Sequence, residues 1–532
     1  MLNTIQARRG MAVAPHALAA QSALAVLREG GNAIEAMVAA AATIAVVYPH
    51  MNGIGADAFW TIYAPGQECL TLEACGAAAR RADRDFYRAR SCQAIPPRGP
   101  LAANTVAGTI SGWSLALEVA HRDWGGRLPL ARLLEDAIYY ADRGSVVSSS
   151  QSRITRDKLG ELADQPGFAG QFLTGDAAPA AGSRQEQRRL GRTLAHLARK
   201  GLDDFYRGEL ASAIADELSA LGSPLQRDDL AAHRARWRAP LELRHSAGTL
   251  YNTGPPTQGV VSLIVLALAD RRGLTQLDPD SADYVHLLVE ATKQAFLVRN
   301  RFVTDPAYMK ENAQDFLDDA FLAPRAAAIS MQRALPWGAR GSPGDTVWLG
   351  VIDGEGRAVS FIQSLYHEFG SGVVLEDTGI LWQNRGCSFS LDPASLNALE
   401  PGRLPFHTLN PALALLEDGR TMVYGTMGGD GQPQTQATVF ARHAVFGQPP
   451  QQAVSAPRWL LGRTWGQSSD TLKIESRFAP ALIDELRRRG HEVEPIEAWD
   501  ERVGHAGALV RHASGLIEGA ADPRSNGAVA AF

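Results

Sequence analysis

The stretch GDTVWLGVIDGEGRAVSFIQSLYHEFGSG, residues 344–372, decides the fold that we expect for this chain. Residues 347–353 are apolar at nearly every position, turn at 354–356 and return as a second apolar run at 358–365. Successive strand residues point to opposite faces, so strands that are apolar throughout are buried on both faces. The pattern therefore predicts a two-stranded unit inside a sheet that is covered on each side.

Helical patterns dominate the first two-thirds of the chain. Residues 17–29 and 33–47 are apolar at helical spacing, and between them lie two glycines and Asn32, which is placed to cap the second helix. Strand–turn–strand units return in the last third, at 412–427 and 507–518. This mixture predicts the α+β class, with stacked sheets that helices cover from outside.

Thr346 opens the first of these strands, directly after a Gly-Asp pair. If the chain were cut just before Thr346, this one residue would carry both a hydroxyl and a free α-amine. The amine, with a reference pKa of about 7.7–8.0, could then act as general base for the hydroxyl beside it. Thr with its own N-terminus is a known variant of the nucleophile–base pair. A Thr at a strand start is ordinarily only a good β-former, so the surrounding sequence has to decide.

The sequence around Thr346 resembles the γ-glutamyltransferase family, and the resemblance covers nearly the whole chain. It rests on separated motifs in the family's order, among them TMGGDG at 426–431 and AVSAPRW at 453–459. The other similar stretches are residues 8–60, 105–118, 128–144, 345–374, 377–384, 409–420 and 519–532. The resemblance implies a four-layer αββα sandwich, the fold of N-terminal-nucleophile hydrolases, and self-cleavage between Asp345 and Thr346.

The implied cut would divide the 532 residues into a large fragment, 1–345, and a small fragment, 346–532. The family pattern implies that both fragments remain in one interleaved globule, and a dimer of these pairs is left open. Residues 145–240 are polar and helical in pattern, which predicts a lobe on the large fragment.

The resemblance also implies roles for four residues. Thr346 would be the nucleophile, Ser364 the hydroxyl that supports it, and Gly428 and Gly429 the backbone N–H pair that binds the oxyanion. Glycines let backbone donors approach a reacting carbon closely, and residues 433–446 predict a helix whose N-terminus favours negative charge. A plain strand-end turn is the alternative interpretation of the two glycines.

The substrate pocket departs from the family pattern. Cys75 stands where the family has an Arg that binds the glutamyl carboxylate, and Ser388 stands where it has an acidic residue for the α-amine. Arg385 replaces a neighbouring polar residue, so a free amino acid would meet a cation in place of a carboxylate. These differences predict a substrate that is not an amino acid.

Arg385 and four further positions describe the expected pocket. Arg385 offers a planar fork suited to a carboxylate, while Tyr366, Trp382, His407 and Thr408 would crowd and polarise the space. Trp382 could instead belong to the core, and Arg385 could form only a surface ion pair. The pattern favours a small amide with a carboxylate beside the scissile carbonyl. Within the family this resembles the oxamate amidohydrolases of purine (urate) breakdown, which release oxalate and ammonia.

Two other functions stay open at this stage. The chain could be a γ-glutamyl hydrolase or transferase, or another acylase of the same family, with a reshaped pocket. It could also be an uncleaved scaffold without activity, although Thr346, Ser364 and both glycines are present.

Composition excludes several other classes. A net charge of −5 without a dense Lys/Arg run does not favour nucleic acid. The four cysteines are scattered and include no CxxC pair, so we predict neither a disulfide scaffold nor a metal site. Gly53 and Gly55 imitate a dinucleotide fingerprint but follow a helix and precede a strand, so we predict no cofactor. The most apolar run, 36–48, is too short for a membrane, and no secretory signal is visible, which predicts a cytoplasmic enzyme acting on a small molecule.

Overall fold

Two antiparallel sheets lie at the centre of the computed structural model, which describes residues 3–338, 345–462 and 469–532. The side chain of Asp345 lies outside the described part. We call the first sheet the Thr346 sheet. In spatial order its strands are Ala528–Ala531, Gly10–Ala14, Asp345–Asp353, Ala358–Tyr366, Asp57–Tyr63, Leu70–Ala74 and Arg236–Arg238.

The second sheet also has seven strands within the described residues. In spatial order they are Ile5–Ala7, Ile517–Ala521, Gly507–Arg511, Thr421–Gly425, Ala412–Leu416, Gly248–Asn252 and Leu241–His245. The hairpins predicted at 347–365, 412–427 and 507–518 all form, and each pairs antiparallel.

Two smaller sheets complete the described strands. They join Trp459–Leu461, Leu472–Glu475 and Val493–Ile496, and Ser145–Val146 with Arg184–Gln185. The helices of at least eight residues are Ala17–Arg28, Ala33–Val47, Thr109–Asp123, Glu135–Arg143, Ser149–Asp157, Arg188–Lys200, Glu209–Ala220, Gly259–Arg271, Ala282–Phe302, Asp319–Ala327, Gln432–Phe440 and Pro480–Arg488. The shorter helices are Arg84–Arg88, Leu130–Leu133, Leu159–Leu162, Phe168–Phe172, Asp204–Arg207, Arg227–Ala232 and Pro450–Ser455.

Alternation along the Thr346 strand builds two hydrophobic layers at once. Val347, Leu349 and Val351 pack with the helices that cover the outer side of the sheet. Trp348 and Ile352 pack between the two sheets. This period of two is the physical reason why the strand is apolar at nearly every position.

The second sheet is covered in the same way on its outer side. Alternate residues of its strands, such as Ala412 and Ala414, share a cluster with the helices Gly259–Arg271 and Ala282–Phe302. The order of layers is therefore helix, sheet, sheet, helix. The predicted αββα sandwich is confirmed.

Trp348 shows how closely the two sheets approach each other. Its indole N–H donates to Ser360 Oγ at 2.9 Å, which satisfies the one polar atom of the ring. A Cβ at Gly425 of the second sheet would lie 2.2 Å from Trp348 Cδ1, and one at Gly507 would lie 2.5 Å from Cζ3. The ring fills the gap only because both facing positions lack a side chain.

The helix Ala33–Val47 is entirely buried beneath the Thr346 sheet. Asn32 caps it as predicted, because its side chain accepts from the N–H groups of Ile34 and Glu35. The Glu35 carboxylate in turn accepts from Asn32 N at 2.9 Å, which completes a capping box. Within the described ranges, every helix falls short of the length and apolar character that crossing a bilayer requires.

Candidate active site

Thr346 lies beside an irregularity in the sheet. The pairing register slips by one residue at this point, so Ser364 and Leu365 of the neighbouring strand oppose Thr346 alone. Thr346 is fully buried and lies two residues before Trp348 in the same strand. Residues two apart in a strand point to the same face, so the Thr346 side chain lies between the two sheets, as that of Trp348 does. A bulge of this kind re-aims side chains locally, and it places the Ser364 side chain next to Thr346.

Asp57 extends this arrangement by one strand. Ser364 and Asp57 pair directly across neighbouring strands. Each lies two residues from a side chain that packs between the sheets, Ile362 and Phe59 respectively, so both side chains point to that same face. Because neighbouring strands are about 4.8 Å apart, Thr346, Ser364 and Asp57 form a row roughly 10 Å long. Ser364 Oγ accepts the N–H of Tyr366 at 2.8 Å, which orients its hydroxyl.

A series of hydrogen-bonded side chains from the helices that cover the second sheet, and from the loop before the strand Ala412–Leu416, reaches Thr346. Gln432 Nε2 donates to Thr346 Oγ at 3.3 Å, and Gln432 Oε1 accepts from Asn410 Nδ2 at 3.2 Å. Asn410 Oδ1 accepts from Ser262 Oγ at 3.1 Å. All of these side chains are buried, so the series holds Gln432 in one orientation toward the Thr346 hydroxyl.

The two glycines lie immediately before Gln432 in the chain. Gly428 and Gly429 have φ of 116° and 52°, which a residue with a side chain adopts only with strain. They lead through the turn Gly429–Gly431 into the helix Gln432–Phe440. The first N–H groups of a helix have no partner inside the helix and carry its positive end. The turn therefore lies at the positive end of this helix, beside Thr346, and the oxyanion role of the two glycines stays a prediction.

Two buried residues brace the glycine turn. Gln258 Nε2 donates to the carbonyl of Gly429 at 2.8 Å, and Arg299 forms an ion pair with Asp430 at 2.8 Å. Arg299 Nη1 also donates to Gln258 Oε1 at 3.1 Å. The side chains of Gln258 and Arg299 thus hold the strained turn in place.

Arg385 is fully buried, with an exposed fraction of 0%, in the short helix Arg385–Ser388. Its guanidinium lies over the ring of Tyr366, with Cζ 3.9 Å from the ring centroid. Among the described residues, none of its three nitrogens has a hydrogen-bond partner. Tyr366 itself has φ of 85°, a strained value for an aromatic residue. The alternative of a surface ion pair for Arg385 is excluded by its burial.

Asp57 and His407 lie next to this cation. Asp57 Oδ1 accepts the N–H groups of Gly76 at 3.2 Å and Gly108 at 2.9 Å. Burial raises the pKa of Asp57 to about 7, although the Arg385 charge opposes this rise. Asp57 Oδ2 is 3.4 Å from His407 Nε2 but forms no hydrogen bond with a described residue. Burial holds the pKa of His407 well below its usual value, and Arg385 adds to this effect, so the imidazole is neutral.

The remaining predicted pocket residues occupy different surroundings. Thr408 is buried, and its Oγ has no partner among the described residues. Cys75 packs between the sheets near Asp57, and burial raises its pKa well above the usual range. Trp382 packs in the outer hydrophobic layer, stacks on Phe205 and donates to the carbonyl of Thr105 at 3.1 Å. Its contacts are those of a core residue, the alternative that the sequence left open.

One group of residues in the described part could resemble a metal site. His286, Glu290 and His491 place one potential ligand atom each within 4.8 Å of one another. However, Lys293 Nζ is 2.7 Å from Glu290 Oε1, and His286 is bonded to both His491 and Ser330 O. A cation would have to displace the Lys293 ammonium, so we assign no metal to this group.

Sequence reasoning missed Asp57, Gln432, Asn410, Gln258 and Arg299. In the sequence, Asp57 follows the glycine-containing segment 53–56 at the start of a strand, and the other four are single polar residues that no local pattern marks as part of a site. A buried Gln or Arg next to the TMGGDG motif is a usable signal, because buried polar groups need partners. The partners themselves come from distant segments, which no local pattern reveals.

Comparison with known proteins identifies the family. A family model described as Gamma-glutamyltranspeptidase matches residues 19–532. The chain belongs to the γ-glutamyltranspeptidase family. The resemblance inferred from separated motifs is therefore confirmed over nearly the whole length.

Two relatives of this γ-glutamyltranspeptidase family member match over almost their full lengths. The oxamate amidohydrolase proenzyme of Klebsiella pneumoniae subsp. pneumoniae is 58% identical over 523 residues, which are 98% of this chain and 98% of the relative. The glutathione hydrolase-like YwrD proenzyme of Bacillus subtilis is 41% identical over 529 residues, which are 99% of each chain.

A solved structure gives the same result for the fold. Cephalosporin acylase from Bacillus halodurans has a TM-score of 0.91 and 32% identity, and the match covers 100% of this chain and 97% of that one. As a member of the γ-glutamyltranspeptidase family with these relatives, the protein is a hydrolase that acts on amide carbon–nitrogen bonds. The alternative of a scaffold without activity is not supported.

Proposed function

We propose that this hydrolase converts oxamate to oxalate and ammonia. The observation that carries the proposal is Arg385, a buried guanidinium without a hydrogen-bond partner among the described residues. A buried cation is costly unless an anion pairs with it, and a planar fork fits a carboxylate. Arg385 faces Asp57, which is two strands from Thr346. Arg385 also lies over Tyr366, whose backbone pairs with Asp345, the residue before Thr346. A carboxylate bound on this side of the guanidinium would direct an adjacent amide toward Thr346, and the relative named an oxamate amidohydrolase proenzyme supports this substrate.

Maturation is the first step that we propose. Thr346 Oγ attacks the carbonyl of Asp345, the acyl group moves from nitrogen to oxygen, and water hydrolyses the resulting ester. The products are a large fragment that ends at Asp345 and a small fragment that begins with the free amine of Thr346. The proenzyme names of both relatives support a precursor of this kind.

Substrate hydrolysis then uses the same hydroxyl. The α-amine of Thr346 takes the proton from Oγ as the oxygen attacks the amide carbon. The Gly428 and Gly429 N–H groups stabilise the oxyanion, an effect of about 3 kcal/mol for one donor in comparable sites. The amine returns the proton to the amide nitrogen, and ammonia leaves. Water, deprotonated by the amine, cleaves the oxalyl ester and releases oxalate.

The pocket fits a small substrate. Tyr366 lies beneath Arg385, and His407 places both ring nitrogens, which have no described hydrogen-bond partner, beside Asp57. Thr408, the next residue, has a buried Oγ that also lacks a described hydrogen-bond partner. We assign Arg385, Tyr366, His407, Thr408 and Cys75 to substrate binding. Trp382 shapes this region from the core, through its contacts with Phe205 and Thr105.

Several narrower predictions accompany this function. The division into 1–345 and 346–532, with a helical lobe at 145–240, stays a prediction, as does pairing of the processed molecules into a dimer. A place in purine breakdown and a cytoplasmic location also stay predictions. The place in purine breakdown depends on oxamate being the substrate, and the cytoplasmic location depends on the protein not being exported.

Ammonia release from oxamate tests the proposal directly. We expect the purified, fully cleaved protein to release ammonia and oxalate in equal amounts from oxamate. A γ-glutamyl p-nitroanilide should release little p-nitroaniline, because Arg385 would face the α-ammonium of that substrate. Cleaved protein that released p-nitroaniline but no ammonia from oxamate would assign the γ-glutamyl alternative instead.

Gln432 provides a separate test of the nucleophile. Gln432→Leu keeps the side-chain size but removes the donor 3.3 Å from Thr346 Oγ. We expect both chain cleavage and oxamate hydrolysis to slow about tenfold, the value of one neutral hydrogen bond. Gln451→Leu is the matched control, because Gln451 is also buried but bonds Ser455 and Ala521, away from Thr346. Equal rates in the two variants, measured by single-turnover kinetics, would remove Gln432 from this role.

A further inference from the structure

Three buried side chains at Asp57, two strands from Thr346, have polar atoms without hydrogen-bond partners among the described residues. They are Asp57, Arg385 and His407, and we call them the Asp57 cluster. The atoms are Oδ2 of Asp57, all three guanidinium nitrogens of Arg385 and both ring nitrogens of His407. The exposed fraction of each side chain is 0%. Unpaired polar atoms at this depth are rare in native proteins and indicate a ligand that completes them.

The charges of the cluster balance when it is empty. Arg385 carries one positive charge, ionised Asp57 carries one negative charge, and His407 is neutral because burial holds its pKa well below the usual value. An anion that binds Arg385 adds a negative charge and breaks this balance. An uncompensated charge in a buried site is expensive, so one group should take up a proton.

We propose that anionic substrate binding is coupled to protonation of Asp57, which makes Asp57 a specificity-determining residue that admits an anion only together with a proton. This inference rests on the proposed function, in which Arg385 binds the substrate carboxylate. The proton comes from solvent and binds Asp57 Oδ2, and no covalent bond to carbon changes. Protonated Oδ2 can donate to Nε2 of His407, 3.4 Å away, when the imidazole proton is on Nδ1.

Within the cluster, Asp57 is the group that titrates. The α-amine that cleavage frees on Thr346 lies two strands away, and the Asp57→Asn variant separates any proton taken up there from the proton on Asp57. Besides Arg385 and His407, the titratable groups that face Asp57 are Cys75 and Tyr206. Burial raises the pKa of both, so both are neutral at pH 8. Asp57, whose pKa burial raises to about 7, is ionised at that pH and only one unit away from protonation. An entering negative charge raises the pKa of a carboxyl further, so binding at pH 8 draws the proton to Asp57.

Calorimetry of oxalate binding to the cleaved wild-type enzyme tests the coupling. Oxalate is the expected product and is not hydrolysed. One of its two carboxylates would pair with Arg385, and the other would face the N–H groups of the glycine turn, so the proton on Asp57 balances the first. At pH 8 the binding enthalpy should differ between HEPES and Tris buffers, neither of which supplies a small competing anion, by the amount that corresponds to uptake of about one proton per oxalate. The Kd should rise up to about tenfold per pH unit above pH 7, since ever more Asp57 must be protonated on binding.

Asp57→Asn isolates the residue. The asparagine oxygen can still accept from Gly76 and Gly108, so the local fold is retained. We expect no proton uptake, a Kd independent of pH between about 7 and 9, and oxalate binding about tenfold tighter than wild type at pH 8. The matched control is Glu73→Gln, because Glu73 is a buried carboxylate on the next strand that pairs with Arg238. This control should keep the proton uptake of the wild type.

Each other outcome would overturn the proposal in a distinct way. Oxalate that bound with the same enthalpy in both buffers would refute the coupling and leave oxamate hydrolysis untouched. Uptake that persisted in Asp57→Asn would place the proton on another group. Absence of oxalate binding to the cleaved enzyme would refute both the carboxylate site at Arg385 and the coupling that depends on it.

Discussion

Thr346→Ala should remain a single chain of 532 residues, whereas the wild type should separate into fragments of roughly 37 and 20 kDa. The variant loses the single hydroxyl that is proposed to attack first the Asp345 carbonyl and later the substrate amide. We therefore expect no cleavage and a loss of at least ~10³-fold in oxamate hydrolysis. Intact-mass spectrometry after prolonged incubation, followed by an ammonia assay, measures both effects on one sample.

Thr346→Ser is the control for this experiment. It keeps the hydroxyl and, after cleavage, the α-amine, so it should still divide and still release ammonia at a reduced rate. The reduction follows from the lost methyl group, which limits the side chain to few orientations in the wild type. Cleavage of Thr346→Ala at the same bond, or wild-type protein that stayed intact after long incubation, would contradict the assignment.

Arg385→Met should raise the KM for oxamate by at least ~30-fold. The substitution keeps an apolar side chain over Tyr366 but removes the buried charge that is proposed to bind the carboxylate. Losing one partner of a buried, hydrogen-bonded charge pair costs about 2–5 kcal/mol. The effect should fall mainly on KM, because the carboxylate is bound in both the ground state and the transition state. Steady-state ammonia release against oxamate concentration gives the two constants.

Two further measurements separate substrate binding from structural support. Arg385→Lys keeps the charge but loses the planar fork, so its KM should lie between those of the wild type and Arg385→Met. The melting temperature of Arg385→Met should fall little, because Asp57, whose pKa burial already raises to about 7, takes up a proton when the cation that faces it is lost. An unchanged KM together with a lower melting temperature would make Arg385 a structural residue.

The sheets were predictable from sequence because their cause is local. Each strand of the Thr346 hairpin is apolar on both faces, and each turn has its own glycines, so adjacent residues alone specify a hairpin with two buried sides. The helix Ala33–Val47 likewise begins at its own cap, Asn32. The helix predicted over 433–446 forms as the α-helix Gln432–Phe440, and residues Ala441–Val445 extend it as a π-helical turn.

The pocket was predictable only where a family motif carried it. Arg385 stood out as a cation in an unexpected position, but its burial and its lack of partners came from the structure. Trp382 had two interpretations in the sequence, and its contacts with Phe205 and Thr105 are those of the core. Whether a given aromatic residue lines a cavity or fills a core depends on residues hundreds of positions away.

The sequence by itself determined the α+β sandwich and the family, and it supplied Thr346 as the predicted nucleophile, because these depend on hydrophobic period, turn residues and contiguous motifs. Only the tertiary structure decided that Asp57 lies beside Arg385 and His407, and that Gln432 reaches the Thr346 hydroxyl. Asp57 and His407 are 350 positions apart in the chain and meet because two sheets stack. Charge balance and proton affinity arise from such distances and from burial, and neither is encoded in any single stretch of sequence.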